Sequence, residues 1–137
     1  MWLFTKYGFF SATSARTGNG SHGNPLDVDR IMVRSRWHSH LVNLRKRFKK
    51  ELKHNEIYAN AGTDYRYRIF VHKAVWKKIV AALAEETDYD NFKSEAGRYE
   101  EENQAPDEGY LAALHDVWTT VYKYRNRAIH PAPPSLT

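Results

Sequence analysis

The sequence predicts an α+β fold, an antiparallel sheet with helices packed on one face, followed by a C-terminal helix. Residues 2–11, 30–36 and 65–71 carry the aromatic-rich or alternating patterns of strands, and residues 37–52, 73–86 and 111–122 place apolar side chains at helical spacing. Glycine, proline, asparagine and aspartate cluster between them. The order, β then β-α-β-β-α and a further helix, makes a ferredoxin-like split sandwich the nearest named architecture. With 137 residues and 42% hydrophobic composition, the chain reads as one domain over residues 1–127 with a tail at 128–137.

Taken in order, Trp2-Leu-Phe-Thr-Lys-Tyr-Gly-Phe-Phe-Ser11 is rich in β-favouring residues and reads as a strand covered on both faces, with Gly8 marking a bulge. Residues 13–28, with Gly18, Gly20, Gly23 and Pro25, read as a flexible loop. Ile31, Val33 and Ser35 then alternate with Arg30, Met32, Arg34 and Arg36, so a half-buried strand presents arginines to solvent. Trp37, Leu41, Leu44, Phe48 and Leu52 form the apolar stripe of a first helix. Residues 57–60, the turn Gly62-Thr63-Asp64 and residues 65–71 give the best hairpin signal, with Tyr65, Tyr67, Ile69 and Val71 opposite Arg66, Arg68 and Phe70.

A second helix covers about residues 73–86 around Val75, Trp76, Ile79, Val80 and Leu83. Asp88 or Asp90 caps a short helical turn ending near Gly97. Asp107 is the expected N-cap of a third helix with Leu111, Leu114, Trp118, Val121 and Tyr122 on one face and Lys123, Arg125 and Arg127 at its end. The prolines from Pro131 onward stop that helix and leave an extended tail.

Charge is strongly segregated. The chain carries +5 overall, yet residues 30–54 hold nine bases against Glu51, and residues 85–108 hold ten acids against Lys93 and Arg98. A basic block attracts polyanions, and an acidic one repels them. The two blocks also suit each other, within one chain or between two. No cysteine is present, which removes thiol catalysis, Cys-type zinc sites and disulfides together. Nor does any apolar run reach the roughly 18 residues a membrane span needs. Without a basic stretch ahead of the apolar start, a cytoplasmic chain with no membrane partner is expected.

The opening phrase from Trp2 to Ser11, together with Gly62-Thr-Asp-Tyr-Arg-Tyr-Arg68 and Thr87-Asp-Tyr-Asp-Asn-Phe-Lys93, resembles the signature phrases of a family of small bacterial proteins without an established activity. The resemblance implies a self-contained bacterial domain and carries over no site residue.

Candidate contacts come from the residues themselves. Lys6, Tyr7, Arg34, Arg36, Tyr65, Arg66, Tyr67 and Arg68 lie on predicted strands and combine phosphate-binding forks with flat rings on which an unstacked base can rest. They point to a non-enzymatic binding domain for single-stranded nucleic acid or a nucleotide-like polyanion. The plainer reading makes the arginines a solvated face and the tyrosines core. An alternative function is a homodimeric interaction module joined through the oppositely charged segments. A third is a metal-assisted phosphoester hydrolase, which requires Asp64, Asp88 and Asp90 to converge. No cofactor is expected, because neither a Walker A phrase nor GxGxxG occurs, and the histidines lack HExxH spacing, so no metal site is assigned.

Overall fold

The computed structural model describes residues 1–59, 62–105 and 108–125. By its internal contacts the chain divides into two compact units, Met1–Asp90 and a second that begins at Asn91. The first unit holds the sheet. Residues 2–11 do not run as one strand; they turn at Lys6 and Tyr7 into β1 (Trp2–Thr5) and β2 (Gly8–Arg16). The Thr5 hydroxyl fixes that turn by accepting hydrogen bonds from the Tyr7 and Gly8 amides at 3.1 and 3.2 Å. Gly8 sits at a φ of 149°, and a Cβ there would collide with the His40 ring, so the turn requires glycine on two counts.

The expected loop at 13–28 is shorter than its composition suggests. β2 continues to Arg16 and β3 (Leu26–Ser35) begins at Leu26, which leaves residues 17–25 as the connection. Strand pairing wins over turn-forming composition because the ladder gives these backbone groups partners on both strands. A register shift between Ser14 and Ala15 absorbs the mismatch.

After β3 come α1 (His38–Arg47), β4 (Tyr67–His72) and α2 (Lys73–Glu85). The apolar stripe expected of one longer helix is kept although α1 ends early. Phe48 leaves helical geometry, yet successive turns hold both Phe48 and Leu52 in the core. The hairpin expected before β4 shrinks to a single antiparallel bridge between Tyr58 and Arg68, since residues 57–59 reach β4 at one position only. The sheet is antiparallel in the order β1-β2-β3-β4, so neighbours in sequence are neighbours in space. This meander differs from the β-α-β-β-α-β order of a ferredoxin-like sandwich.

Directly paired residues point to the same side of a sheet. Ala12 pairs with Val33, Val33 with Ile69, and Ile31 with Val71, so these form one apolar face with Phe10. α1 and α2 pack on the sheet and bury that face, contributing Leu41, Leu44, Trp76 and Ile79. The other face carries Ser11, Thr13, Arg30, Met32, Arg34, Arg68 and Phe70.

In the second unit, α3 (Phe92–Glu102) and α4 (Tyr110–Tyr124) pack through Ala96, Tyr110 and Leu114. Asn91, rather than Asp88 or Asp90, caps α3, its side chain accepting from the Ser94 amide at 2.9 Å, and the helix runs past Gly97. Gly109 stands at the N-cap of α4. Of the face expected to be core, Leu114 is buried, while Trp118, Val121 and Tyr122 remain exposed. The expected cap Asp107, Arg127 and the tail 128–137 lie outside the described residues. Among the described residues no helix is long and apolar enough to cross a membrane.

His40 ties α1 to the first hairpin: its Nδ1 accepts the Phe9 amide hydrogen at 3.1 Å, and burial pulls its pKa from 6.5 down to about 4. The fold therefore favours the neutral ring, and unfolding takes up a proton between those two values. Stability is expected to be full above pH 6.5 and to fall as the pH drops towards 4. From this group alone about 2 kcal/mol should be lost between pH 7 and pH 5. Urea titrations at both pH values check this, and a His40→Asn variant should lack that part of the loss.

Candidate anion-binding site

The uncovered face of the sheet is the floor of an open basin of about 1090 Å³. Arg30, Arg34 and Arg68 stand on this floor with Thr13, Met32 and Phe70. One wall is the β2–β3 connection, including Asn19 and His22, and the other is formed by His54, Asn55, Glu56, Tyr58, Thr63 and Asp64. Both walls are tied down. Thr17 N–H donates to the Pro25 carbonyl at 2.9 Å and Asn24 bonds back to the Thr17 carbonyl at 2.8 Å, closing the first. Asn55 Nδ2 donates to the Phe70 carbonyl at 2.5 Å, anchoring the second to β4.

Strand parity brings the guanidinium groups together. Arg34 and Arg68 are register partners across β3 and β4, so their side chains leave the sheet side by side. Arg30 lies four residues earlier on β3, about 13 Å away at 3.3 Å per residue. Each group is held by neutral partners. Arg34 donates to the Ser11 hydroxyl at 2.7 Å, Arg68 to the Thr63 hydroxyl at 3.0 Å and the Tyr65 carbonyl at 3.2 Å, and Arg30 to the Arg16 carbonyl at 3.2 Å.

Aromatic rings complete the setting, Arg34 lying 4.5 Å from the Tyr65 centroid and Arg30 5.1 Å from that of Phe70. A cation on a ring adds about 0.5–2 kcal/mol and fixes the plane of the guanidinium. Among the described residues no carboxylate forms a salt bridge with Arg30, Arg34 or Arg68. Their Nε atoms are buried without a hydrogen-bond partner. Burial, then the neighbouring Arg34 charge, lowers the pKa of Arg68. Directly opposed like charges destabilise a sheet. This arrangement therefore stores unfavourable electrostatics that an anion in the basin relieves.

The residues expected to make contacts divide sharply. Arg34 and Arg68 are on the basin floor. Arg36, just beyond β3, reaches Asp64 at 3.5 Å and the Tyr65 ring at 4.9 Å. Tyr65 is 4% exposed and precedes β4, so it escapes the strand alternation that assigned it to the helix side. Its ring lies beneath Arg34 and Arg36 and also meets Phe9, 6.4 Å between centroids. It supports guanidinium groups and offers no open surface to a base.

The remaining four stand elsewhere. Lys6 and Tyr7 line a separate recess of about 190 Å³ against α2. There the buried Tyr7 hydroxyl donates to Glu86 at 2.7 Å, and burial followed by the Glu86 carboxylate pushes the phenol well above its usual range. Glu86 also binds Arg47, so one acid from the acidic block and one base from the basic block meet within the chain. Tyr67 falls on the helix side beside His38, and Arg66 lies 5.7 Å from the Tyr67 ring.

Alternation on β3 already signals Arg30. Tyr58 joins the basin through its bridge to Arg68, the one pairing kept from the expected hairpin, while Arg16 and His54 join it from the strand extension and the segment before that hairpin, for which the sequence offers no local signal. Asp64 is spent on Arg36, and among the described residues no group of three or more His, Asp or Glu is placed to hold a metal ion. The carboxylate set needed for metal-assisted hydrolysis is therefore not assembled. No family model, curated protein or solved structure matches this chain.

An anion that fills the basin should stabilise the fold by mass action. At constant ionic strength, pyrophosphate is expected to raise Tm while chloride does not, and Arg34→Gln should reduce the rise. Thermal melts of both proteins measure it.

Proposed function

We propose that the protein is a non-enzymatic binding domain for nucleic acid or a nucleotide-like polyanion, and that the basin on the uncovered sheet face is its site. One observation carries this reading: Arg30, Arg34 and Arg68 converge on a single basin without a carboxylate partner among the described residues. Arginines on a surface ordinarily meet acids, and this chain supplies 16 of them. Glu56 and Asp64 line the basin too, yet neither forms an ion pair with these three guanidinium groups, which leaves their charge for an external anion. The rest of the uncovered face suits a ligand with flat parts as well as charge. Phe4 stacks on Phe9 at 4.5 Å, and Trp2 meets Phe9 edge-on at 5.6 Å with most of its own surface exposed.

A second reading, as a homodimeric module, draws on α4, where Trp118 is 58% and Val121 66% exposed on one helix. Light scattering across a salt series tests it; a monomer at every salt concentration counts against it.

For the leading reading, mixed-sequence single-stranded oligonucleotides should bind at low salt with an affinity that falls linearly on a log–log salt plot. Arg34→Gln and Arg68→Gln should each lower that slope by about one. Arg98→Gln, which removes the partner of Glu95 on α3, should leave it unchanged. Binding no tighter than to a neutral polymer would end the proposal.

A further inference from the structure

We propose that the basin takes a single-stranded oligonucleotide at least two phosphates long, with one base stacked on Tyr58 beside the Arg34 and Arg68 pair. This rests on the polyanion reading above and goes further by fixing the ligand's length, strandedness and need for bases.

Length follows from where the charges stand. Arg34 and Arg68 form one cationic pole, and Arg30 forms the other, while the Arg16 side chain lines the same basin and donates to the Asn24 carbonyl at 2.8 Å. Four strand residues separate the backbones of the two poles, about 13 Å, and the side chains lean inward over the Met32 and Phe70 pair, the Arg30 guanidinium 5.1 Å from the Phe70 centroid and Arg68 Nη1 3.0 Å from Met32 Sδ. A single phosphate reaches one pole only. Two successive phosphates of a nucleic-acid backbone reach both across this shortened span.

The base position follows from which ring is open. Arg34 and Arg36 occupy one aromatic surface, that of Tyr65, and Arg30 occupies another, that of Phe70. Tyr58 lines the same basin, is 51% exposed and meets Phe70 edge-on, 5.8 Å between centroids. Its backbone pairs with Arg68 through hydrogen bonds of 2.8 and 3.0 Å, which puts its ring next to the two-arginine pole. A flat ring beside a phosphate-binding fork is the pairing that single-stranded nucleic acids use, because every base has a face to stack and every nucleotide a charge to hold. Strandedness follows from shape. The floor is walled on two sides, so it admits one flexible strand with a base turned out and does not accept the convex surface of a duplex, whose bases are already stacked.

The test uses the full chain and fluorescence anisotropy with a labelled thymidine hexanucleotide, an abasic hexamer of equal charge, thymidine monophosphate as competitor and a duplex of the same length. The hexanucleotide should bind about tenfold more tightly than the abasic hexamer, the scale of one base–aromatic contact. Tyr58→Ala should remove that advantage and leave abasic binding unchanged, while Tyr58→Phe should retain it. Monophosphate and duplex should compete poorly. Equal binding of the two hexamers to the unmodified protein overturns the base contact, as does an equal loss for both in Tyr58→Ala, and the polyanion reading survives either result. Monophosphate competing as well as the hexanucleotide overturns the length, and a duplex competing as well overturns the strandedness. If neither hexamer binds, the polyanion reading falls with the inference.

Discussion

The register between β3 and β4 is the constraint on which the candidate site depends. By setting Arg34 opposite Arg68 and Val33 opposite Ile69, it determines both which residues the helices bury and which charges are left facing outward. A slip of one residue would turn every side chain over. Isoleucine and valine would then meet water and the guanidinium groups would enter the core, so the apolar packing that stabilises the sheet also enforces the crowding of like charges. Their repulsion is small beside the burial of Ile31, Val33, Ile69 and Val71, which at full burial contribute about 1.5–3 kcal/mol each. The fold can therefore hold an electrostatically unfavourable surface without losing its structure.

Neutral groups manage that surface. Hydroxyls of Ser11 and Thr63, carbonyls of Arg16 and Tyr65, and the rings of Tyr65 and Phe70 hold the guanidinium groups in place without cancelling their charge. Carboxylates pair with other groups, Asp64 at the basin rim with Arg36, Glu86 with Tyr7 and Arg47 on the helix side, and Glu95 with Arg98 within α3. Part of the basic block is neutralised locally, and Arg30 and Arg34 on β3 have no ion-pair partner among the described residues.

Much of the fold was legible because period and burial agree. β3 and α2 follow directly from alternation and from helical spacing, and the arginine face follows from parity alone. Features set by single interactions were not legible. The turn at Lys6 and Tyr7 depends on the Thr5 hydroxyl and on a positive φ at Gly8, neither of which an aromatic-rich run announces. Alternation groups Tyr65 with Tyr67, Ile69 and Val71, but alternation holds only within a strand and β4 starts two residues later, so its ring meets Arg34 and Phe9 instead. Tyr58 reaches the site through one bridge, which the hairpin signal around Gly62 anticipates, although that signal does not say that the pairing stops at a single position. On α4 the apolar stripe was correctly read, but a stripe does not say how far along the helix it is covered.

The basin divides its labour between two kinds of chain. Its cationic floor stands on paired strands, where each side chain is committed by the ladder, while its rims are connecting segments, one closed by its own hydrogen bonds and the other anchored to β4 at Asn55 and Tyr58. Such rims tolerate insertion and exchange far better than the strands beneath them. The rims can therefore change in length and composition while the cationic floor stays intact, so the shape of the basin can vary without refolding.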